Sequence, residues 1–447
     1  MLPLGPAGYG DSPYSALSAF AGTPALISLE RLAEDGLLPV TPSNREAALA
    51  AAFDNFRRRE GREREAFSLY CEVNREWLDD FALYWAIKRS QGQLQWTRWP
   101  EELRDRKPHA LEEARRRLRE DIELCRFEQY RFDGDWRALR LHCEQRGIGL
   151  IGDLPIFVAH DSADVWQHRE LFHLDERGDP TVIAGVPPDY FSATGQRWGN
   201  PLYDWPRLRE TGFHWWTERF RAALGRFHAI RLDHFIGFTR YWEIPAHEPT
   251  AVNGRWVPGP GWALFKAVHA ALGELPLIAE NLGVVTPAVE RLRRKLGAPG
   301  LRILQFAFGT DPQAPLFLPH AYRRNTAAYT GTHDNDTTVG WFNDRGDANR
   351  SAAQVEKERE AVLRYLGAPD GREIHWHMIR ALHASVANLV LVPVQDLLGL
   401  GSEARMNLPG KATGNWKWRL DEGALTPALA ERLCELTHTY GRTTTSC

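Results

Sequence analysis

Short, continuous apolar runs alternate with longer amphipathic segments along most of the chain. Such runs are typical of strands buried on both faces of a parallel sheet, and they are Gly149–Val158, Ala229–Phe235, Leu275–Leu282, Leu301–Phe308, Thr326–Asp334 and Asn388–Asp396, with Leu2–Leu4 predicted as the end of another. Segments with helical spacing follow or precede them, namely Asp135–Gln145, Trp215–Arg226, Trp262–Leu272, Pro287–Leu296 and Gln354–Leu366. Because strands and helices alternate, the pattern predicts an α/β fold with a parallel sheet.

Most of the predicted strands end in an acidic residue. These residues are Asp153, Asp233, Glu280, Asp334 and Asp396. In a (β/α)8 TIM barrel the carboxyl ends of the strands form the active site. We therefore expect a barrel of this type, although the runs number seven and a closed barrel needs eight.

Two stretches interrupt the alternation. Residues from about 43 to 128 are helix-like and mix both charge signs at helical spacing, which predicts an inserted helical subdomain with a solvated face. Residues from about 159 to 226 contain a Gly-, Pro- and aromatic-rich stretch, AGVPPDYFSATGQRWGNPLYDW. Long, structured loops over a barrel mouth are usually lids or binding loops. We expect one catalytic domain over residues 1–447 that carries both insertions.

Composition and charge argue against several classes of protein. Hydrophobic residues make up 43% and charged residues 25%, which is ordinary for a globular protein, and the formal net charge is −3. No positive field favours nucleic acid or an anionic membrane, and no apolar run is long enough for a membrane span or a signal peptide. We expect a cytoplasmic protein. The 17 Trp, 12 Tyr and 20 Phe residues suit stacking on sugars, but composition alone favours a large core built from big side chains.

Two local patterns suggest other chemistry and are disfavoured. Gly147, Gly149 and Gly152 match GxGxxG, but these glycines precede and enter a strand, whereas a dinucleotide site needs them between a strand and a helix. The residues 333–336, HDND, could suggest a cation site, but the glycine and terminal Glu of a calcium loop are missing. We expect neither a cofactor nor a metal.

The remaining chemistry is that of carboxylates. Asp233, Glu280 and Asp334 each end a different predicted strand, and a pair of carboxyl groups flanking a glycosidic bond is the minimum equipment for cleaving it. Arg231 lies two residues before Asp233, on the same face of the strand, where its guanidinium would favour an ionised nucleophile. A buried ion pair without a catalytic role explains the same spacing equally well.

Several long motifs around these residues resemble one known family. They are LGPAGYGDSPYSALSAFAG, GDLPIFVAHDSADVW, AGVPPDYFSATGQRWGNPLYDW, RLDHFIGF, IAENLG, YTGTHDNDTT, VPVQDLLGLGSEARMNLPG and GNWKWRL. In kind and order they resemble the 4-α-glucanotransferases called amylomaltase or disproportionating enzyme, glycoside hydrolase family 77, relatives of the α-amylases. The motifs run from residue 4 to about residue 420. Only residues 397–447 follow the last predicted strand, too few for the C-terminal β domain of an α-amylase.

The resemblance implies a role for each matching residue. Asp233 would be the nucleophile, Glu280 the general acid/base, and Asp334 a third carboxylate that binds sugar hydroxyls and stabilises the oxocarbenium-like state. The further substrate-binding residues would be Tyr14, Asp153, Trp198, Arg231, His234 and His333, with Trp198 on a lid loop. The aromatic loop from Tyr190 to Trp198 would exclude water. Asn281 stands where Asp is commoner in the family, one residue from the acid/base.

The implied reaction is the transfer of part of an α-1,4-glucan to the 4-hydroxyl of another glucan or of glucose. It would proceed with retention through a covalent glycosyl-aspartate, for which the two carboxyl groups lie about 5–5.5 Å apart. Two alternatives remain: a hydrolase of the α-amylase type that uses the same carboxylates, and an inactive glucan-binding protein. By the family pattern roughly 40–50 residues, the first βα unit of the barrel, would precede Met1.

Overall fold

The structure is a computed structural model that describes residues 1–38, 44–188, 192–346, 350–411 and 413–443. The chain forms two compact units. The N-terminal unit contains Met1–Pro187, Arg197–Asp233 and Gly237–Pro276, and the C-terminal unit contains Pro188–Gln196, His234–Ile236 and Leu277–Cys447. Each unit has its own strands and helices, so each is described separately.

The strands of the described residues are short. They are β1 Ile151–Leu154, β2 Val182–Val186, β3 Gln196–Pro201, β4 Ala229–Leu232, β5 Arg240–Pro245, β6 Arg255–Pro258, β7 Leu277–Ala279, β8 Gly300–Ile303, β9 Thr326–Tyr329 and β10 Leu389–Leu391.

The helices are longer and occupy more of the chain. They are α1 Leu29–Glu34, α2 Arg45–Phe56, α3 Arg62–Val73, α4 Arg75–Ser90, α5 Glu101–Arg104, α6 Pro108–Arg117, α7 Arg119–Glu144, α8 Ala163–Gln167, α9 Trp205–Glu210, α10 His214–Arg226, α11 Trp262–Leu272, α12 Pro287–Lys295, α13 Thr338–Phe342, α14 Ala352–Leu366, α15 Ile374–His383, α16 Val394–Leu397 and α17 Pro427–Thr439. Within the described residues, no helix combines the length and the apolar character needed to cross a lipid bilayer.

The N-terminal unit holds a parallel strand pair and an antiparallel sheet. In the pair, β1 lies beside β4 with Asp153 opposite Arg231. In the antiparallel sheet, β5 pairs with β2 on one side and with β6 on the other, and β3 lies beyond β2. The parallel pair carries polar residues at its carboxyl end, which positions the first part of the candidate site.

The helices α2, α3 and α7 bury an aromatic core in the N-terminal unit. Phe56 is fully buried and lies 4.9 Å from Phe127, measured between ring centroids, and Phe132 and Trp136 stack further along α7. Phe227, which follows α10, completes this core. A side chain at Gly152 in β1 would meet the ring of Phe227 at 2.1 Å. This glycine of the GxGxxG pattern therefore serves the packing of a strand.

The C-terminal unit is built on the parallel strands β7, β8, β9 and β10. Each strand of this unit pairs with the next in chain order, as in a succession of βα units. The helices between them begin at defined caps: Thr286 accepts a hydrogen bond from the Val289 amide at the start of α12, and Ser351 and Gln354 form a capping box on α14. The carboxyl ends of β7 and β9 lead into Glu280 and into the loop that carries Asp334.

Most of the predicted strands and helices are confirmed. The prediction of a strand at Leu2–Leu4 is wrong, since these residues form no strand. The Met1 amine donates an isolated hydrogen bond to Ile151 O, and the Leu4 carbonyl accepts one from Thr23 N. The antiparallel sheet was not predicted. Its strands β2 and β3 lie in the stretch expected to be a structured loop.

Candidate active site

Two acidic residues and one arginine meet at the carboxyl end of β1 and β4. Nη1 of Arg231 donates to Oδ2 of Asp153 at 2.6 Å and to Oδ1 of Asp233 at 3.2 Å. The Arg231 side chain is buried, at 8% exposure, whereas Asp233 keeps 25% of its side chain accessible. The buried guanidinium of Arg231 thus binds the carboxylate of Asp233, which directly follows β4, and this carboxylate remains accessible to solvent.

Tyr14 joins this cluster from the N-terminal segment. Its hydroxyl donates to Oδ2 of Asp153 at 2.6 Å, and it lies in a 3-10 helix, Pro13–Ser15, that Ser12 caps. Burial, together with the charge of Asp153, raises the pKa of the Tyr14 hydroxyl well above its usual value, so it remains a donor. The other carboxylate oxygen, Asp153 Oδ1, is buried without a hydrogen-bond partner in the described part of the chain. A hydroxyl donor from a ligand would satisfy it.

Hydrogen bonds from α10 fix the backbone of the segment that follows β1. Arg219 donates to the carbonyls of Pro155 and Ile156, at 2.6 and 3.1 Å, and Tyr203 donates to Ile156 O at 3.0 Å. Together with Tyr14 and Asp153, this segment lines a small cleft of about 70 Å³ that opens to solvent. The cleft borders Tyr14 and Asp153 but not Arg231 or Asp233.

The helical insertion also binds the segment that follows β1, through side chains of α4. Nζ of Lys88, on α4, lies 2.6 Å from Oδ2 of Asp161, and the Tyr84 hydroxyl donates to the other carboxylate oxygen at 2.9 Å. Lys88 is 4% exposed, and its remaining protons meet the carbonyls of Gln93 and Leu94. This buried, fully paired ammonium joins α4 to the residues that follow β1.

Trp198 lies on β3 with 37% of its surface exposed. Its ring lies 6.4 Å from that of Phe157, measured between centroids, so it borders the segment after β1. The sequence places this residue on a lid, and that role stays a prediction. Tyr190, at the start of the predicted aromatic loop, lies outside the described residues.

Glu280 follows the last residue of β7 in the C-terminal unit. The backbone N–H of His234 donates to its Oε2 at 2.6 Å, and the N–H of Phe235 donates to its main-chain carbonyl at 3.1 Å. His234 has a positive φ of 47°, a left-handed backbone conformation that is uncommon for a residue with a side chain. Burial lowers the pKa of the His234 imidazole to about 4, so the ring is neutral near pH 7.

Asp334 and His333 lie in the loop after β9, and the C-terminal RMNLPG loop binds them both. Nδ2 of Asn407 donates to Oδ1 of Asp334 at 2.6 Å, and its backbone N–H donates to His333 O at 3.0 Å. Arg405 adds a hydrogen bond to the carbonyl of Asp334 at 2.8 Å. The His333 ring lies 5.7 Å from Trp416, centroid to centroid. Asn407 and Arg405 were missed as functional candidates, because the sequence shows their motif but not the residues that it contacts.

The other acidic residues near strand ends serve the framework. Asp396 is 1% exposed and accepts hydrogen bonds from the hydroxyls of Thr330 and Thr338 and from the N–H of Thr338. Asp336 accepts from the Ser402 hydroxyl at 2.7 Å. In the portions of the chain that the structure describes, no group of three or more His, Cys, Asp or Glu side chains is arranged to hold a metal ion.

The structure therefore brings the predicted residues together in three groups. Tyr14, Asp153, Arg231 and Asp233 form one hydrogen-bonded cluster, Glu280 is bonded to the backbone of His234, and His333 adjoins Asp334. The predicted spacing of about 5–5.5 Å between the carboxyl groups of Asp233 and Glu280 stays a prediction.

Carboxylates at the ends of parallel strands, one of them bound to a buried arginine, are the kind of groups with which α/β enzymes cleave glycosidic bonds. The family model of glycoside hydrolase family 77, 4-alpha-glucanotransferase, matches residues 1–426. The chain belongs to this family.

Individual relatives agree with the family assignment. The chain is 50% identical over 455 residues to the 4-alpha-glucanotransferase of Thermus thermophilus, covering 97% of this chain and 89% of the relative. It is 46% identical to the 4-alpha-glucanotransferase of a Synechocystis species, covering 99% and 90%. Among solved structures it is similar to the amylomaltase from Streptococcus agalactiae in complex with acarbose, with a TM-score of 0.92, 35% identity and coverage of 99% and 91%. The fold is therefore the TIM-barrel-like α/β fold of amylomaltase, and the predicted fold class is confirmed.

Proposed function

We propose that this enzyme transfers a segment of an α-1,4-glucan to the 4-hydroxyl of an acceptor glucan or of glucose, with Asp233 as nucleophile and Glu280 as general acid/base. The observation that carries the assignment of the nucleophile is the hydrogen bond from Arg231 to Asp233 at the end of β4. Because the guanidinium is buried, it favours the ionised form of the carboxylate that must attack.

In the first step Asp233 attacks the anomeric carbon of the donor glucan. The bond to the departing glycosidic oxygen breaks, and Glu280 transfers its proton to that oxygen. The product is a glycosyl ester on Asp233 together with a shortened glucan. The hydrogen bond from the His234 N–H to Oε2 of Glu280 supports this role, because it fixes the orientation of the carboxyl group.

In the second step the 4-hydroxyl of an acceptor replaces the departed sugar. Glu280, now a carboxylate, takes the proton of that hydroxyl while the oxygen attacks the anomeric carbon and releases Asp233. Two inversions give net retention. Transfer rather than hydrolysis requires an acceptor site from which water is excluded, and the exposed indole of Trp198 supports a lid role there.

The remaining residues bind the donor sugar. Asp153 is assigned to a sugar hydroxyl, and Tyr14 and Arg231 hold Oδ2 of its carboxylate in place. Asp334, held by Asn407, accepts hydrogen bonds from sugar hydroxyls and stabilises the oxocarbenium-like state. Neutral His234 can donate or accept without adding charge.

Incubation with maltotriose tests the proposal. Transfer yields glucose together with maltodextrins longer than maltotriose, whereas hydrolysis yields glucose and maltose only. We expect Asp233→Asn to lower transfer by about a thousandfold or more, because an amide cannot form the glycosyl ester.

Asp54→Asn is the matched control, since Asp54 is an exposed carboxylate on α2 that pairs with Arg57. It should leave transfer unchanged. Glucose and maltose as sole products would establish the hydrolase instead. Unchanged products with Asp233→Asn would remove Asp233 from the mechanism.

A further inference from the structure

The strand β3 is anchored on both sides of Trp198. Before it, Arg197 donates through Nε and Nη2 to two main-chain carbonyls in the segment after β5, at 3.1 and 2.9 Å. After it, Nδ2 of the half-buried Asn200 donates to the carbonyl of Val158 at 2.8 Å. These hydrogen bonds tie one end of the strand to the antiparallel sheet and the other end to the segment that follows β1.

The anchor made by Asn200 lies next to the contact made by Trp198. The indole of Trp198 lies 6.4 Å from the ring of Phe157, measured between centroids. The amide of Asn200 binds the carbonyl of the next residue, Val158. Phe157 and Val158 are buried, and both line the small cleft that Asp153 borders. The hydrogen bond of Asn200 therefore fixes how far the indole lies from the wall of that cleft.

Phe157 gives the indole a well-packed neighbour. Its ring stacks on that of Tyr203, with 6.2 Å between centroids, and meets the edge of the Tyr241 ring at 6.3 Å. The Tyr203 hydroxyl also donates to the carbonyl of Ile156 at 3.0 Å, which holds the backbone just before Phe157. Because the cleft wall is fixed in this way, the position of the indole against it depends on how β3 is held.

The backbone between the indole and its anchor has a conformation that favours glycine. Gly199 has a φ of 83°, in the left-handed region that side chains disfavour. A Cβ at this position meets no atom within 4 Å, so the requirement for glycine is conformational and not steric. Gly199 thus sets the direction of the Trp198 side chain relative to the Asn200 anchor.

We propose that Asn200 is a positioning residue for Trp198, whose indole it holds beside the cleft so that an acceptor sugar reaches the glycosyl ester in preference to water. This role rests on the proposed function, in which Trp198 helps to exclude water from the acceptor site. Asn200 needs no contact with the glucan, because its amide is bound to Val158 and acts through the backbone of β3.

The two fates of the glycosyl ester on Asp233 differ in the number of reducing ends. Attack by the 4-hydroxyl of a glucan forms a new glycosidic bond and leaves the total number of reducing ends unchanged. Attack by water also frees Asp233, but it releases the sugar with a new reducing end. The reducing ends gained per maltotriose consumed, measured at early times, therefore report the share of the ester that water takes. This quantity is called the hydrolysis ratio below.

Asn200→Ala removes the anchor on the cleft side of β3 and leaves Trp198 in the chain. With the indole displaced, water should compete better with the acceptor, and we expect the hydrolysis ratio to rise by about threefold or more over the wild type. Equal losses of transfer and of hydrolysis, with an unchanged ratio, would overturn the positioning role, because damage to the fold or to the donor site affects both fates alike.

A double variant tests whether Asn200 acts through the indole. Trp198→Ala alone should raise the hydrolysis ratio at least as far as Asn200→Ala does. Adding Asn200→Ala to Trp198→Ala should then change the ratio by less than about 1.5-fold, since the group to be positioned is already gone. Independent, multiplicative effects of the two substitutions would contradict the proposal.

Gly199→Ala keeps the test decisive if Asn200→Ala folds poorly. It retains the amide but strains the backbone between the amide and the indole, so it should also raise the hydrolysis ratio. Asn55→Ala is the matched control, because Asn55 is a half-buried amide on α2 that donates to the carbonyl of Leu37 at 2.9 Å. The control loses a bond of the same kind and should leave the ratio within about 1.5-fold of the wild type.

The outcomes separate this role from the proposed function. A wild type that converts maltotriose into glucose and maltose only would overturn the proposed transfer reaction itself. A wild type that transfers normally, with an unchanged hydrolysis ratio in the Asn200 and Gly199 variants, would overturn only the positioning role.

Discussion

Glu128 is a buried acid that the proposed reaction does not use. It lies on α7 with 6% of its surface exposed, and the charged groups facing it are Arg89 on α4 and Glu46 on α2. Burial raises its pKa to about 7, although Arg89 acts to lower it. The folded protein therefore retains a proton here that the unfolded chain releases at lower pH, so folding stability should fall as pH rises from about 4.5 to about 7.

Glu128→Gln removes this titration. We expect the variant to be more stable than the wild type at pH 8, by on the order of 3 kcal/mol, and close to the wild type at pH 4.5, where both side chains are neutral. Chemical denaturation at the two pH values measures the difference. Glu120→Gln, an exposed position on the same helix, should change stability by less than about 0.5 kcal/mol at either pH. A gain in stability of the same size at both pH values would show that Glu128 does not titrate in this way.

The residues of the candidate site differ in how far the sequence could reveal them. The pairing of Arg231 with Asp233 follows from a spacing of two in one strand. The pairing of Arg231 with Asp153 does not, because it depends on the register of β1 against β4, in which these two residues lie opposite each other. Asn407 was equally hidden, since nothing local in the sequence shows that its loop reaches Asp334.

At the scale of elements, α7 shows how packing overrides local propensity. The sequence pattern separates a charged helical region ending near residue 128 from a helix beginning at Asp135, and Gly134 lies between them. In the structure one helix runs from Arg119 to Glu144. Glycine in a helix interior costs about 0.5–1 kcal/mol, which the burial of Phe127, Phe132 and Trp136 exceeds.

Gly134→Ala should therefore stabilise the protein. A Cβ at Gly134 meets no atom within 4 Å, so the substitution removes the penalty without a clash, and we expect a gain of about 0.5–1 kcal/mol in the free energy of unfolding. Gly147→Ala is the matched comparison beyond the end of the same helix. Its φ of 67° disfavours a side chain, so this variant should lose stability. Denaturant titration of both variants measures the change in the free energy of unfolding. A decrease in both variants would mean that α7 requires glycine at position 134.

The antiparallel sheet could not be predicted for a different reason. The pairing of β2 with β5 joins segments that are far apart in sequence, with Val182 opposite Pro245. Period-2 alternation is weak in β2, which is buried at three consecutive positions. The parallel strands were easier to find because each one is a continuous apolar run.

For the whole molecule, the glucan-binding function proposed above makes a prediction about ligand binding. A similar amylomaltase has been solved in complex with acarbose. If this protein binds acarbose in its folded state only, a concentration of one hundred times Kd adds about 2.7 kcal/mol to stability. For a chain of 447 residues that corresponds to a rise in Tm of about 3 °C.

Thermal unfolding with increasing acarbose measures this rise. Cellotriose, whose glucose units are β-linked, should leave Tm unchanged at the same concentration. No rise at saturating acarbose, in a protein that transfers glucan normally, would show that its donor site differs from that of the related structure.

The hydrogen bond from the His234 N–H to Glu280 has a consequence for how this site tolerates change. The donor belongs to the main chain, so every replacement of the His234 side chain except proline preserves it. Replacement of the His234 side chain therefore leaves in place the contact that orients the carboxyl group of Glu280. The contact remains sensitive to changes that move the peptide between Asp233 and His234, because that peptide carries the donor.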